Sequence, residues 1–281
     1  MKRLRARLPL LTLLLFLMAF VQSALGDTVV QIPLGSVLNT RSVTTLTNGA
    51  LVTWQIGIDG GGNGNGYLTS AASLFKGDKN LKALPDSGKI PGDARHPEVT
   101  LNFSNADGAG NQTRYMPGAG EFTFSVPQGK YSKLFLFFTS AEGASSLQLK
   151  LTYVDSSETR SVVMPDYYND IKPDDPVLFY LVKDLPKWNK SNTMTEANHH
   201  NIDGIELHPV AGKFLTGVTV SKTAAGYLVF WGATGIATTP VAIVRQSRFP
   251  STRSGRRPDL RFRGKNGKFV TLVGREIPTY H

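Results

Sequence analysis

Asp59, Asn63 and Asn65 stand within the run Asp59-Gly-Gly-Gly-Asn-Gly-Asn-Gly-Tyr67. Oxygen-bearing side chains among glycines suit a hard cation such as calcium, because the glycines let backbone carbonyls converge beside them. The same composition also describes a tight turn that holds no metal. A second run, Asn105-Ala-Asp-Gly-Ala-Gly-Asn111, imitates part of a calcium loop. It lacks a ligand at Ala109 and has Met116 where a bidentate glutamate belongs. Sugar binding asks for an exposed aromatic face that receives the C–H surface of the ring, with polar side chains to match its hydroxyls. Trp188, followed by Asn189, Lys190 and Asn192, offers both, as does Tyr167-Tyr168-Asn169-Asp170, while Tyr67 closes the glycine run. Tyr67, Tyr167, Tyr168, Trp188, Asn189 and Asn192 are therefore the candidate ligand-binding residues. For Trp188 the alternative is packing of its own loop, and Trp54 and Trp231 lie within strand-like runs that place them in the core.

His199-His200 invites a metal or catalytic reading. Adjacent histidines on a strand point to opposite faces, however, so they share a metal only in an irregular loop. Neither a Gly-x-Ser-x-Gly elbow nor a zinc-helix motif is present. Carboxylate pairs such as Asp174-Asp175 occur, but a glycosidase needs two carboxylates facing each other across a substrate, which spacing alone does not identify. No catalytic residue is nominated, and a non-enzymatic protein is expected.

Short β-rich runs bounded by Gly, Asn, Asp and Pro must position these residues. They are 51–58, 99–103, 121–126, 133–138, 147–154, 159–164, 202–207, 215–220 and 227–231. Leu147, Leu149, Leu151 and Tyr153 alternate with Gln148, Lys150 and Thr152, as a half-buried strand requires. Leu134 to Phe138 is apolar throughout and fits a central strand buried on both faces. No helical period is sustained, so the expected fold is all-β, an antiparallel β-sandwich closed as a jelly roll. Residues 170–190 contain Pro173, Pro176 and Pro186 and are expected to form a long loop at one end.

The chain has 281 residues, 41% hydrophobic and 19% charged, with a formal charge of +10 and no cysteine. This composition supports a sizeable core and excludes a disulfide framework, thiolate metal sites and cysteine nucleophiles. The basic excess is terminal. Four Lys/Arg and no acid lie in residues 1–26, and ten Lys/Arg against Asp259 and Glu276 lie in 245–281; the remainder carries 17 basic and 19 acidic residues. Lys2, Arg3, Arg5 and Arg7 before an apolar run from Leu8 to Val21, then Ala24-Leu25-Gly26, read as a signal peptide over 1–26. That apolar run is too short to span a bilayer, so no membrane span is expected after cleavage. The β-sandwich is expected over 27–240, followed by a basic Gly/Arg-rich tail over 241–281. In that tail, Leu260-Arg-Phe-Arg and Phe269-Val-Thr-Leu-Val flank Gly264-Lys-Asn-Gly267 as a short hairpin.

In order along the chain come the Asp59–Tyr67 loop, Ala83-Leu-Pro-Asp-Ser-Gly88, Gly129-Lys-Tyr-Ser-Lys-Leu-Phe-Leu136, the strand pair ending in Met164-Pro-Asp-Tyr-Tyr168, and Ile205-Glu-Leu207. Gly217-Val-Thr-Val-Ser-Lys222 and Leu228-Val-Phe-Trp-Gly-Ala233 complete the series. This order resembles the galactose-binding-like jelly-roll modules of secreted bacterial glycoside hydrolases, over most of residues 29–236. The resemblance implies a secreted or periplasmic, cell-surface protein that binds a polysaccharide or other glycan through loops at one end, without chemistry of its own, and often with a structural calcium. The competing expectation is a structural or adhesive envelope protein that docks to acidic polymer through its basic tail. Nucleic acid is not an expected partner for a secreted chain.

Overall fold

The computed structural model describes residues 27–78, 82–223 and 226–238, together with two short strands near the C-terminus. The expected signal peptide and most of the basic tail lie outside the described residues. The chain divides into two units, one up to Ile243 and one from Val244. In the second unit, Phe262–Arg263 and Phe269–Val270 pair antiparallel, at the expected hairpin.

Among the described residues the first unit has fifteen strands: β1 (Thr28–Gln31), β2 (Val43–Thr47), β3 (Ala50–Val52), β4 (Tyr67–Leu68), β5 (Lys89–Ile90), β6 (Val99–Thr100), β7 (Arg114–Met116), β8 (Gly120–Gly129), β9 (Tyr131–Ala141), β10 (Ser145–Tyr153), β11 (Ser157–Met164), β12 (Leu178–Trp188), β13 (Met194–Leu207), β14 (Leu215–Lys222) and β15 (Tyr227–Ala237). A short helix, α1 (Ser70–Phe75), follows β4. One antiparallel sheet runs β1-β15-β9-β13-β12, with β7 also pairing to β15; a second runs β11-β10-β14-β8. The all-β antiparallel sandwich expected from the sequence is present.

Its core follows from the alternation of each strand. Leu147, Leu149 and Leu151 of β10, Val218 and Val220 of β14, and Phe122 and Phe124 of β8 pack onto Leu134, Leu136 and Phe138 of β9. Phe230 of β15 joins the sheets, its ring centroid 5.1 Å from those of Phe122 and Phe138. The intervening residues Phe135 and Phe137, with Val229 and Trp231, point the other way. There they meet Val43, Ile58, Tyr67, Val99, Leu101 and Phe103. The six-stranded sheet is thus buried on both faces, and residues before β7 form a third layer over it. Trp54 and Trp231 are both in the core, as their strand-like settings suggested.

Three segments differ from expectation, one of them the run 99–103, which is a strand only over Val99–Thr100. Residues 51–58 continue as a strand only to Val52; beyond it Gln55 and Ile56 donate their amides to the Arg41 carbonyl at 2.8 and 3.1 Å. Residues 178–188, expected within a loop, form the edge strand β12. Its one proline, Pro186, is tolerated because an edge strand has one row of amides without ladder partners. The β12–β13 register shifts four times, and Asp184 takes a left-handed φ of 60°. Phe179 and Leu181 still alternate inward.

Phe179 lies opposite Gly204 of β13, and its ring meets Phe135 and Phe137 edge-on at 5.9 and 6.4 Å. A Cβ on Gly204 would overlap that ring. Gly204→Ala is therefore expected to destabilise the sandwich by about 1–3 kcal/mol through overpacking. The measurement is a lower urea midpoint at unchanged slope; an unchanged midpoint would show that the ring moves aside freely.

Candidate functional site

Beyond the third layer, four segments converge on one buried ammonium. Asp59 begins the glycine run, which turns through a 3-10 helix over Gly61–Asn63. A Cβ on Gly64 would fall on the backbone carbonyl of Asp59, so only glycine permits this curl. The curl returns Asn65 to the Asp59 carboxylate, whose Oδ1 accepts the Asn65 amide at 2.5 Å. Lys187 arrives from the irregular end of β12, and its Nζ lies 3.1 Å from Asp59 Oδ2. Tyr167, from the loop after β11, donates its hydroxyl to the same Oδ2 at 3.2 Å and accepts from Lys187 Nζ at 3.2 Å. Glu196, directly across the ladder from Lys187, completes the set with Oε1 at 2.8 Å.

Lys187 therefore has three acceptors for its three N–H bonds, and its side chain is only 8% exposed. An ammonium so held offers no lone pair for nucleophilic work. Burial and the adjacent Asp59 charge push the Tyr167 phenol far above its ordinary range, so it serves as a neutral hydrogen-bond relay.

His200 lies under this cluster. Its Nδ1 is 2.8 Å from the Leu185 carbonyl, which can only accept, so Nδ1 carries the proton and Nε2 is bare. Nε2 is buried without a hydrogen bond and stands 3.5 Å from Glu196 Oε2. Burial pushes the imidazole pKa down to about 4, so the ring is neutral near pH 7. Asp203, three residues further on β13, is fully buried with both carboxyl oxygens lacking hydrogen-bond partners. Burial, reinforced by Asp166, drives its carboxyl well above the usual range.

Tyr168 covers the cluster on its outer side. It is 46% exposed, lies 6.2 Å from the His199 ring in a stacked arrangement, and meets His200 edge-on at 5.1 Å. The Lys187 ammonium sits 5.7 Å from its ring centroid. Glu196, with a side chain 39% exposed, and exposed His199 and Asn169 lie on the same two segments as this platform.

The expected site residues thus separate into two groups. Asp59, Asn65, Tyr167 and Tyr168 come together. Trp188 does not join them: it ends β12 rather than lying in a loop, is fully buried, and donates Nε1 to Asp78 Oδ2 at 2.7 Å. Tyr67 is equally buried, stacked on Trp231 at 5.6 Å. Neither ring presents a face to a ligand. Asn189 and Asn192 build the β12–β13 turn. Asn189 Oδ1 accepts the amides of Ser191 and Thr193 at 3.0 and 3.1 Å; Asn192 bonds Thr44 and Thr53 at 2.9 and 2.8 Å.

For the expected cation, the Asp59 carboxylate is already neutralised by Lys187. The Gly61 and Asn65 carbonyls accept the amides of Gly57 and Ile58 at 2.8 and 2.7 Å, and Asn63 is exposed on the 3-10 turn. Among the described residues, no group of three or more His, Asp or Glu is placed to hold a metal ion. Lys187, Glu196 and Asp203 were not anticipated. Glu196 and His200 do carry a signal, since residues four apart share a face of a strand.

Two measurements probe the cluster. Lys187→Met leaves the Asp59 carboxylate buried beside a phenol and is expected to cost about 3–5 kcal/mol. Adding Asp59→Asn should recover part of that loss, so a urea double-mutant cycle reads a coupling; strictly additive losses would mean the pair is not coupled. The second concerns pH. Between about pH 4 and 6.5 the unfolded chain protonates the histidine that the fold keeps neutral, so His200 withdraws stability as pH falls through that window. Asp203 acts oppositely: the fold retains a proton that the unfolded chain releases above about pH 3.9, so stability is lost as pH rises. Asp203→Asn should therefore raise the urea midpoint at pH 8 and change it least near pH 4, whereas an equal shift at both would remove the titration from the account.

No protein-family model matches this chain, and no curated protein matches it, so its site stands on its own geometry.

Proposed function

We propose that the protein is a secreted, non-catalytic carbohydrate-binding module of galactose-binding-like jelly-roll type, which takes a cell-surface or environmental glycan against Tyr168. The supporting observation is the exposed Tyr168 ring held by Tyr167, His199 and Lys187. An aromatic face of this kind receives the C–H surface of a sugar. Glu196 beside it accepts from hydroxyls, and the exposed side chains of His199 and Asn169 add donors and acceptors. The ionised groups below are tied to one another, which favours a rigid seat over a reactive centre.

Affinity electrophoresis against a panel of soluble polysaccharides provides the test. At least one glycan should retard the protein, and Tyr168→Ala should weaken that retardation about tenfold, equivalent to about 1.4 kcal/mol, at unchanged thermal stability. Retardation untouched by Tyr168→Ala would move the site elsewhere. Envelope retention that disappears only when residues 245–281 are deleted would favour the adhesive reading through the tail.

A further inference from the structure

Three residues after Tyr168 the same loop enters a cleft of about 370 Å³, between Asp93 and Arg95 on one side and Lys172, Leu178, Tyr180 and Lys183 on the other. This volume is within the range of small-ligand sites. Tyr180 and Leu178 give an aromatic and apolar floor, the Phe179 ring being turned inward onto Phe135 and Phe137, and the lining carries three cations against one carboxylate. Of the three cations, Lys183 is paired with Asp170, whereas Lys172 and Arg95 have no ion pair among the described residues.

The cleft is built rather than incidental. Arg95 Nη2 donates to the Asp175 and Leu178 carbonyls at 2.9 and 3.3 Å, and the guanidinium lies 5.7 Å from the Phe179 centroid. These bonds fix Arg95 while leaving Nε and Nη1 without partners among the described residues. The Tyr180 hydroxyl accepts from the Ile171 amide at 2.6 Å and donates to Asp170 at 3.1 Å, which locks its ring. Lys183 Nζ sits 4.7 Å from the Tyr180 centroid and 3.4 Å from Asp170 Oδ1. Asp93 is exposed, with its Oδ1 accepting the amides of Arg95 and His96 at 2.7 and 3.0 Å. Lys172 is exposed and has no ion pair among the described residues.

We infer that this cleft receives an anionic sugar residue, one bearing a carboxylate or a sulfate ester, whose charge is taken by Lys172, Lys183 and Arg95 while its ring lies over Tyr180. The ligand class is then an acidic polysaccharide running from Tyr168 along residues 169–171 into the cleft, a conclusion that rests on the glycan reading above. A saccharide fits better than a bare anion, because the apolar floor has no use for an inorganic ion and suits the C–H face of a pyranose.

The test uses the full-length chain and matched polymers: polygalacturonate against its carboxyl-reduced form, and dextran sulfate against dextran. At least one acidic polymer should bind ten times or more tightly than its neutral counterpart, with the advantage shrinking as salt rises. The Lys172→Ala/Lys183→Ala double variant should lose that advantage while keeping its thermal midpoint and its affinity for neutral polymer. The acidic arm that is favoured identifies carboxylate or sulfate as the anion. An acidic preference that persists in the double variant overturns the inference and assigns the charge effect to the basic tail, which is identical in both proteins. Equal binding of acidic and neutral polymers by the parent overturns it while leaving the glycan reading intact. Failure of every polymer to bind removes both.

Discussion

Two-sided burial of β9 is the constraint on which the rest of the structure depends. Five consecutive apolar side chains, Leu134 to Phe138, cannot all face one cover, because successive residues on a strand point to opposite sides. Leu134, Leu136 and Phe138 are covered by the second sheet, as in an ordinary sandwich. Phe135 and Phe137 then require a further layer, and the segment ahead of β7 supplies it with Val43, Ile58, Tyr67 and Leu101. Asp59 directly follows Ile58, so covering the second face also carries the glycine loop to the rim of the sheet. The polar cluster is a consequence of a hydrophobic requirement.

A buried ammonium is a demanding way to join segments. Each charge taken from water costs several kcal/mol, and mutual attraction offsets this only where the hydrogen bonds are complete. Around Lys187 they are complete: Asp59, Tyr167 and Glu196 occupy its three donors. Completeness defines geometry, because the ammonium has one arrangement in which all three acceptors are reached. It joins the glycine loop, the loop after β11 and β13 at a single point. Asp203 illustrates the alternative outcome. Buried without a partner, its carboxyl avoids the charge by keeping its proton.

Strands with clean alternation, such as β10, or with uninterrupted apolar character, such as β9, were legible in the sequence because burial on a known number of faces leaves a known pattern. β12 was not. Pro186 and Asp184 belong to turns in isolation, and only the strand's place at the sheet edge, opposite the long strand β13, makes them compatible with pairing. Trp188 shared that misreading: a tryptophan beside Asn189 and Asn192 resembles a binding loop, yet the same residues close a turn whose tryptophan is packed inward. The Asp59 and Tyr167–Tyr168 portions of the site were legible as residue types suited to ligands. Lys187 carried no local mark, since its meaning depends on a partner 128 positions away.

The two exposed features on the β12 side differ in how much freedom they retain, and that difference bears on recognition. Tyr168 is confined by Tyr167, His199 and His200, so a ligand stacking on it would order little that is not already ordered. Lys172 ends in an exposed ammonium on a long stem, and Lys183 is exposed but held by Asp170 and the Tyr180 ring. Such groups lose rotamer freedom on engagement, yet they attract opposite charge before contact is made. Under the glycan reading, shape selection therefore resides in the tyrosine platform and charge selection in the neighbouring cleft. A residue able to satisfy both must carry an apolar ring face and an anionic group on the same molecule, a stricter requirement than either surface imposes alone.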